Sequence, residues 1–334
     1  MIQQANITDL SPSDSGQQLK RKAWLGQGLV RPECVLATAR GDLFTADWRS
    51  GVAHLRADGS QTFYAAQPID GEVLKPNGIA LRKDGSFLLA HLGNELGGVF
   101  SLARDGSTQP VLTEVEGHLL PPSNFPLEDA QGRLWLSVST RMKPRALGYR
   151  NTCNDGFIVC MDQRGARIVA DGLGYTNEMA FDPTGRWLYV NETFTRQLSR
   201  FALHPDGSLG GRQLVTEFGV GSYPDGMAFD TEGNLWVVSI VSNRVIKVSQ
   251  DGSQHILLQD VDLDHLAWVE QAYQSHSMGR SHLDGVKSKE LRNISSLAFG
   301  GSDLRTGYLG CLLGDCLAVI DMPTSGHPPI HWHY

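Results

Sequence analysis

The sequence predicts an all-β protein: a six-bladed β-propeller with four-stranded blades and a short helical insertion in the last blade. Three observations carry that prediction. A polar residue followed by a short apolar run, a Gly turn and a second apolar run recurs six times. The recurrences begin at 33, 77, 124, 177, 225 and 295, at intervals of 44, 47, 53, 48 and 70 residues, and the first four bracket the roughly 40–50 residues of a propeller blade. Asp-Gly pairs separate the later apolar runs of most units, as hairpin turns require.

The units follow in order. The first opens Pro32-Glu33-Cys34-Val35-Leu36-Ala37 and turns at Asp58-Gly59. The second opens Pro76-Asn77-Gly78-Ile79-Ala80-Leu81, runs through Phe87-Leu88-Leu89-Ala90-His91 and turns at Asp105-Gly106. The third opens Ser123-Asn124-Phe125 and carries a polar excursion after Leu134-Trp135-Leu136-Ser137. The fourth opens Thr176-Asn177-Glu178-Met179-Ala180-Phe181-Asp182, the fifth Tyr223-Pro224-Asp225-Gly226-Met227-Ala228-Phe229-Asp230, and the sixth Ile294-Ser295-Ser296-Leu297. The long last interval is filled by 262–290, where Leu263, Leu266, Ala267, Val269 and Glu270 suggest one or two helical turns. A sandwich pair or a β-helix would not need six units of this length. The chain thus reads as one propeller domain over 1–334, with a leader over 1–28 that could lend a strand to the last blade and close the ring without free edges.

Composition narrows the function classes. Lys and Arg number 29 against 36 Asp and Glu, a net charge of −7, which disfavours a phosphate backbone as partner. No run approaches the roughly 20 apolar residues of a membrane span, and Met1–Gly26 lacks an apolar core of signal-peptide length. The expectation is a cytoplasmic protein that binds neither nucleic acid nor membrane. Five cysteines, Cys34, Cys153, Cys160, Cys311 and Cys316, form no disulfide framework and read as reduced thiols. Trp135, Trp187 and Trp236 recur at one register and read as packing between blades; His327, His331 and His333 read as part of a mobile tail.

In a propeller the innermost strands all start near one end of the central channel. The residues at that register are Glu33, Asn77, Asn124, Asn177, Asp225 and Ser295, every one an oxygen donor. Oxygen ligands without His or Cys suit a hard cation. Glu33 and Asp225 would balance its charge; Asn177, with Asn77 or Asn124, would fill coordination and leave room for water and substrate. The alternative is a set of strand caps holding a file of water. Second-strand ends, Asp47, His91, Thr140, Asn191 and Ser239, would line the same mouth, with His91 as a substrate contact or proton relay. No phosphate-binding loop and no Gly-x-Ser-x-Gly elbow is present.

The openings at Pro32-Glu33, Ser123-Asn124, Thr176 to Asp182 with Trp187-Leu188-Tyr189, and Tyr223 to Asp230 with Gly233-Asn234-Leu235-Trp236 resemble the SMP-30/gluconolactonase/luciferin-regenerating enzyme family. The resemblance implies a divalent metal held by Glu33, Asn177 and Asp225, with Asp225 also the general base and Asn124 a substrate or extra metal contact. Calcium is the first choice of ion, with zinc, manganese and magnesium as others. It implies hydrolysis of a lactone, such as a sugar lactone; a metal-dependent esterase or organophosphate hydrolase, or a non-enzymatic metal- and ligand-binding propeller, are the alternatives. One position departs from the family pattern: Pro122 stands where an Arg two residues before the third-blade Asn would contact a sugar. Arg141, Lys143 and Arg145 in the polar excursion are the candidates to replace it, with Arg141 taken alongside Asn124, Asn77 and His91 as a substrate contact.

Overall fold

The computed structural model describes residues 19–334. The expectations for Met1 to Gln18 therefore lie outside the described residues. Six four-stranded antiparallel sheets make up the ring. Their innermost strands are Val35–Ala37, Pro76–Leu81, Phe125–Glu128, Thr176–Phe181, Tyr223–Phe229 and Ile294–Gly300. Each innermost strand lies against that of the next blade, and the sixth returns to the first, so they surround a central channel. The six-bladed propeller of the sequence prediction is the fold observed.

Local chemistry repeats with the blades. The Asp of Asp58-Gly59, Asp84-Gly85, Asp105-Gly106, Asp206-Gly207 and Asp251-Gly252 accepts the N–H of the serine two residues on, at 2.9–3.0 Å. The glycine beside it takes a φ of +77° to +91°, which a Cβ would oppose. Trp135 and Trp236 are fully buried, and their indole N–H groups donate to Asp129 and Asp230 of the preceding turn at 2.9 and 3.0 Å. The indole thus packs between blades without stranding its donor.

The core lies between neighbouring blades rather than at one centre. Leu36 and Phe44 of the first blade meet Ile79 and Phe87 of the second. Trp135 meets Met179 and Leu188 across the third and fourth, and Trp236 meets Leu297 and Leu309 across the fifth and sixth. The sixth blade draws three strands from the C-terminal part of the chain. Its outermost strand is Arg21–Leu25, antiparallel to Leu317–Asp321 with Trp24 opposite Ala318. That pairing covers the edge of Leu317–Asp321 and joins the two ends of the ring.

The insertion between the fifth and sixth blades holds two helices, α1 (Leu263–Gln274) and α2 (Arg280–Asp284). At 12 residues α1 is longer than the sequence pattern suggested. Asp262 caps it by accepting the His265 N–H at 2.8 Å, and its inner face is anchored to the ring. Glu270 there accepts from Tyr223 Oη at 2.8 Å, the Gly221 N–H at 3.0 Å and Arg196 at 2.5 Å. Tyr149 and Cys153 of the third-blade excursion share one apolar cluster with Tyr175, Tyr223, Leu266 and Tyr273. The excursion and the insertion therefore cover the same end of the ring.

The other end is closed by the C-terminal segment, which corrects the expectation of a mobile tail. His327 N–H donates to Phe229 O at 2.8 Å, Gly326 bridges to Asp230, and Trp332 is buried. Inside this closure is a cavity of about 430 Å³ lined by inner-strand residues such as Ile79, Phe125, Met179 and Met227, with His331 and Tyr334 at its floor. No helix of the described residues is long and apolar enough to cross a membrane.

Candidate active site

The inner strands begin at the end of the channel that the excursion and the insertion cover. In the second, fourth and fifth blades the register slips between Pro76 and Ile79, between Thr176 and Met179, and between Pro224 and Met227. Each bulge holds the polar residue of the repeat and its successor: Asn77-Gly78, Asn177-Glu178 and Asp225-Gly226. A bulge re-aims side chains that a regular strand would alternate between faces. Gly226 has no room for a side chain, since a Cβ would stand 2.5 Å from Ser295 O and from the Ser296 Cα. The Glu178 carboxylate lies against that space and accepts the Met227 N–H at 2.9 Å.

These strand starts bring Glu33, Asn177 and Asp225 together, as the repeat register predicts. The Asp225 carboxyl is 4% exposed and its pKa is pushed well above the usual carboxylate range. Burial is the main cause, and the like charges of Glu33 and Glu178 add to it; Arg31 and the Asn177 amide oppose it. Glu178 is pushed up to about 8, chiefly by burial. Arg31 donates to Glu33 Oε2 at 2.8 Å and lies over the Trp48 ring at 4.3 Å from its centroid. Ser295 Oγ donates to the Glu33 carbonyl at 2.9 Å, which ties the sixth strand start to the first.

The amides are held by their nitrogens. Asn177 Nδ2 donates to Thr193 Oγ1 at 3.0 Å, Asn124 Nδ2 to Ser139 Oγ at 3.2 Å, and Asn77 Nδ2 to the Asn124 carbonyl at 3.3 Å. Asn77 Oδ1 and Asn124 Oδ1 are buried and unpartnered. Asn191 Nδ2 donates to the Asp225 carbonyl at 2.9 Å and Thr193 Oγ1 to the Pro224 carbonyl at 2.8 Å, so the second strand of blade four fixes the backbone that carries Asp225. The sequence reading missed Thr193 and Ser139. Their signal was a small polar residue 15 or 16 positions after the register Asn, in two blades.

Two other predicted contacts are engaged elsewhere. His91 is buried; its Nδ1 accepts the Lys75 N–H at 3.0 Å and its Nε2 faces Glu72 at 3.2 Å. Burial holds its pKa below the ordinary value, and neither ring nitrogen is left for a substrate. The Arg141 guanidinium grips Asp171 through two bonds of 2.8 and 3.0 Å and stacks on Phe157, along the outer strands of blade three. Arg145 of the same excursion turns toward the channel instead, donating to Tyr175 Oη at 2.9 and 2.6 Å just ahead of Asn177.

A hard divalent cation fits this donor set. Two buried carboxylates crowd one another, a cost that a dication answers, and the Asn177 amide lies within reach of the Asp225 carboxyl. Among the described residues no group of three or more His, Cys, Asp or Glu could hold a metal, so amide oxygens have to complete the coordination. Glu33, Asn177 and Asp225 are the residues that would hold such an ion, with Asn124 and Asn77 on the neighbouring strand starts.

Fold and site together define a six-bladed propeller with an acid-and-amide cluster at the channel mouth. The chain belongs to the SMP-30/gluconolactonase/LRE-like family, whose profile matches residues 2–259. It is 30% identical over 203 residues to a 6-deoxy-6-sulfogluconolactonase of Pseudomonas putida, a match covering 59% of this chain and 57% of that one. The matched stretches span 57%, 46% and 64% of the first three curated relatives. Among solved structures, a calcium-binding regucalcin from Agrobacterium tumefaciens superposes with a TM-score of 0.66 at 17% identity, over 96% of this chain and all of the other. A gluconolactonase from Xanthomonas campestris gives 0.64 at 19%, over 93% and 97%. These structural likenesses establish the fold.

Proposed function

We propose that the protein is a divalent-cation-dependent lactone hydrolase that opens a sugar lactone of the aldonolactone type. The observation that carries the reading is the meeting of Asp225, Glu33 and Asn177 at the channel mouth, with two amide oxygens unpartnered beside them. The names of its relatives, a sulfogluconolactonase and a gluconolactonase, support the substrate class. Oxygen-only donors favour calcium, in line with the likeness to a calcium-binding regucalcin.

A dication bound here supplies a Lewis acid for the lactone carbonyl and lowers the pKa of a nearby water. The residues do the rest. Glu33 and Asn177 orient the ion, while the Asp225 carboxylate accepts the proton of the attacking water. The water oxygen bonds to the carbonyl carbon, the ring C–O bond breaks, and the proton returns from Asp225 to the departing ring oxygen. Asn124 Oδ1 and Asn77 Oδ1 accept from substrate hydroxyls that would otherwise leave those buried atoms unpaired. The substrate is a small molecule, and five free thiols suit the cytoplasm.

The test is a panel of lactones, simple esters and phosphotriesters assayed before and after chelation and on re-addition of calcium, zinc, manganese or magnesium. Lactone turnover lost on chelation and restored by one ion supports the reading. Tight cation binding with no turnover on any compound would leave a non-enzymatic binding propeller instead.

A further inference from the structure

We infer that Arg145 determines specificity by receiving an anionic substituent of the substrate: the lactone opened here carries a second acidic group, a carboxylate, sulfonate or phosphate, remote from the lactone carbonyl. The inference rests on the hydrolase reading above and deepens it.

Arg145 begins the short 3-10 turn Arg145–Gly148 of the third-blade excursion. Its guanidinium binds Tyr175 Oη, and it senses the charge of Glu33, on the first blade, across the mouth. Tyr175 stands two residues before Asn177, so the guanidinium sits beside the strand start that carries that amide. Four arginines at this end are paired with a carboxylate, Arg31 with Glu33, Arg141 with Asp171, Arg196 with Glu270 and Arg280 with Asp284, whereas Arg145, Arg150 and Arg244 form no ion pair among the described residues. Among the described residues Arg145 forms no ion pair, and the one carboxylate that acts on it belongs to the cation site.

Charge and hydrogen bonding agree. With a dication bound, Glu33 and Asp225 would face both the ion and Arg31, so the mouth would carry excess positive charge, Arg145 included, for an anion to answer. Tyr149, 2% exposed, stands beside Arg145, Arg280 and Tyr175. A guanidinium with phenol groups beside it matches an anionic group with several acceptor oxygens. A neutral sugar hydroxyl would satisfy the phenol and leave the charge unanswered.

The experiment compares wild type with Arg145→Met and Arg145→Lys, each first checked for native thermal unfolding. The substrates are glucono-1,5-lactone and its counterparts with a carboxylate, a sulfonate or a phosphate at C6. Wild type should favour at least one anionic lactone over the neutral one by about tenfold or more in kcat/KM. Arg145→Met should cut that value by about 10–100-fold through KM, with less than a threefold change for the neutral lactone. Arg145→Lys should recover part of the loss. The anionic arm with the highest kcat/KM identifies the substituent. Calorimetric binding of the ring-opened acids, with and without the C6 anion, reads the same site without turnover. If no lactone is hydrolysed, tighter binding of the C6-anionic acid that is lost in Arg145→Met still supports the role of Arg145 while the hydrolase reading fails. Equal losses on neutral and anionic ligands, or no preference in wild type, would overturn the inference.

Discussion

The Asp225 carboxyl is buried among like charges, so ionising it costs free energy in the cation-free protein and is favourable beside a dication. Asp225→Asn should lower kcat by about a thousandfold, because acid–base transfer and cation charge balance are lost together. The same change should leave the melting temperature of the cation-free protein unchanged or raised. Near-normal turnover would remove Asp225 as the base. Thr193 acts through Asn177, whose amide nitrogen it anchors. Thr193→Val should weaken cation binding by about tenfold in a calorimetric titration, the range for outer-shell partners; unchanged affinity would show that Asn177 needs no anchor. Glu33, Asn177 and Asp225 could be read from the chain because they share one register in repeated units. Thr193 and Ser139 could not, since their roles depend on contacts between different strands, and Arg145 stood in the sequence as one of three basic candidates that only the fold tells apart.

At the scale of the element, the bulges decide which side chains face the mouth. Gly226 allows one of them, because the sixth inner strand passes where its Cβ would be. Gly226→Ala should cost about 2–3 kcal/mol, read as a lower midpoint of urea unfolding, since backbone rather than a flexible side chain must yield. Stability equal to wild type would mean that the strands part easily there. The strands themselves were legible from alternating apolar runs and Asp-Gly turns. The bulges were not, as a slip of register leaves no mark in hydrophobic pattern. The insertion was placed correctly, but its helix was read as too short. Tertiary anchoring of Glu270 and Tyr273 extends it beyond what its own pattern supports.

At the scale of the molecule, both ends of the chain act on the ring. Deleting residues 1–25 removes the outer strand of the sixth blade and bares the edge of Leu317–Asp321. The shortened protein should melt at a lower temperature and scatter light on standing, as an open edge pairs with other chains. Unaltered melting would show that the ring closes without that strand. At the closed end, burial holds the His331 pKa down to about 4, against about 6.5 for an exposed imidazole. The folded state thus prefers neutral His331, a contribution fully present above pH 6.5 and lost as the pH falls toward 4. Between pH 7 and pH 5, His331→Phe should lose about 2–4 °C less in melting temperature than wild type. Equal losses would place the acid sensitivity elsewhere.

The chain alone determined the number of blades, the four-strand unit and the ring of acids and amides at one register, because each is written locally and repeated. Only the folded molecule decided which of those residues meet, that His91 and Arg141 are bound elsewhere, that Arg145 faces the mouth, and that the C-terminal segment seals the far end. These are contacts between segments tens or hundreds of residues apart. Their geometry follows from how six sheets pack around one channel, which no local pattern encodes.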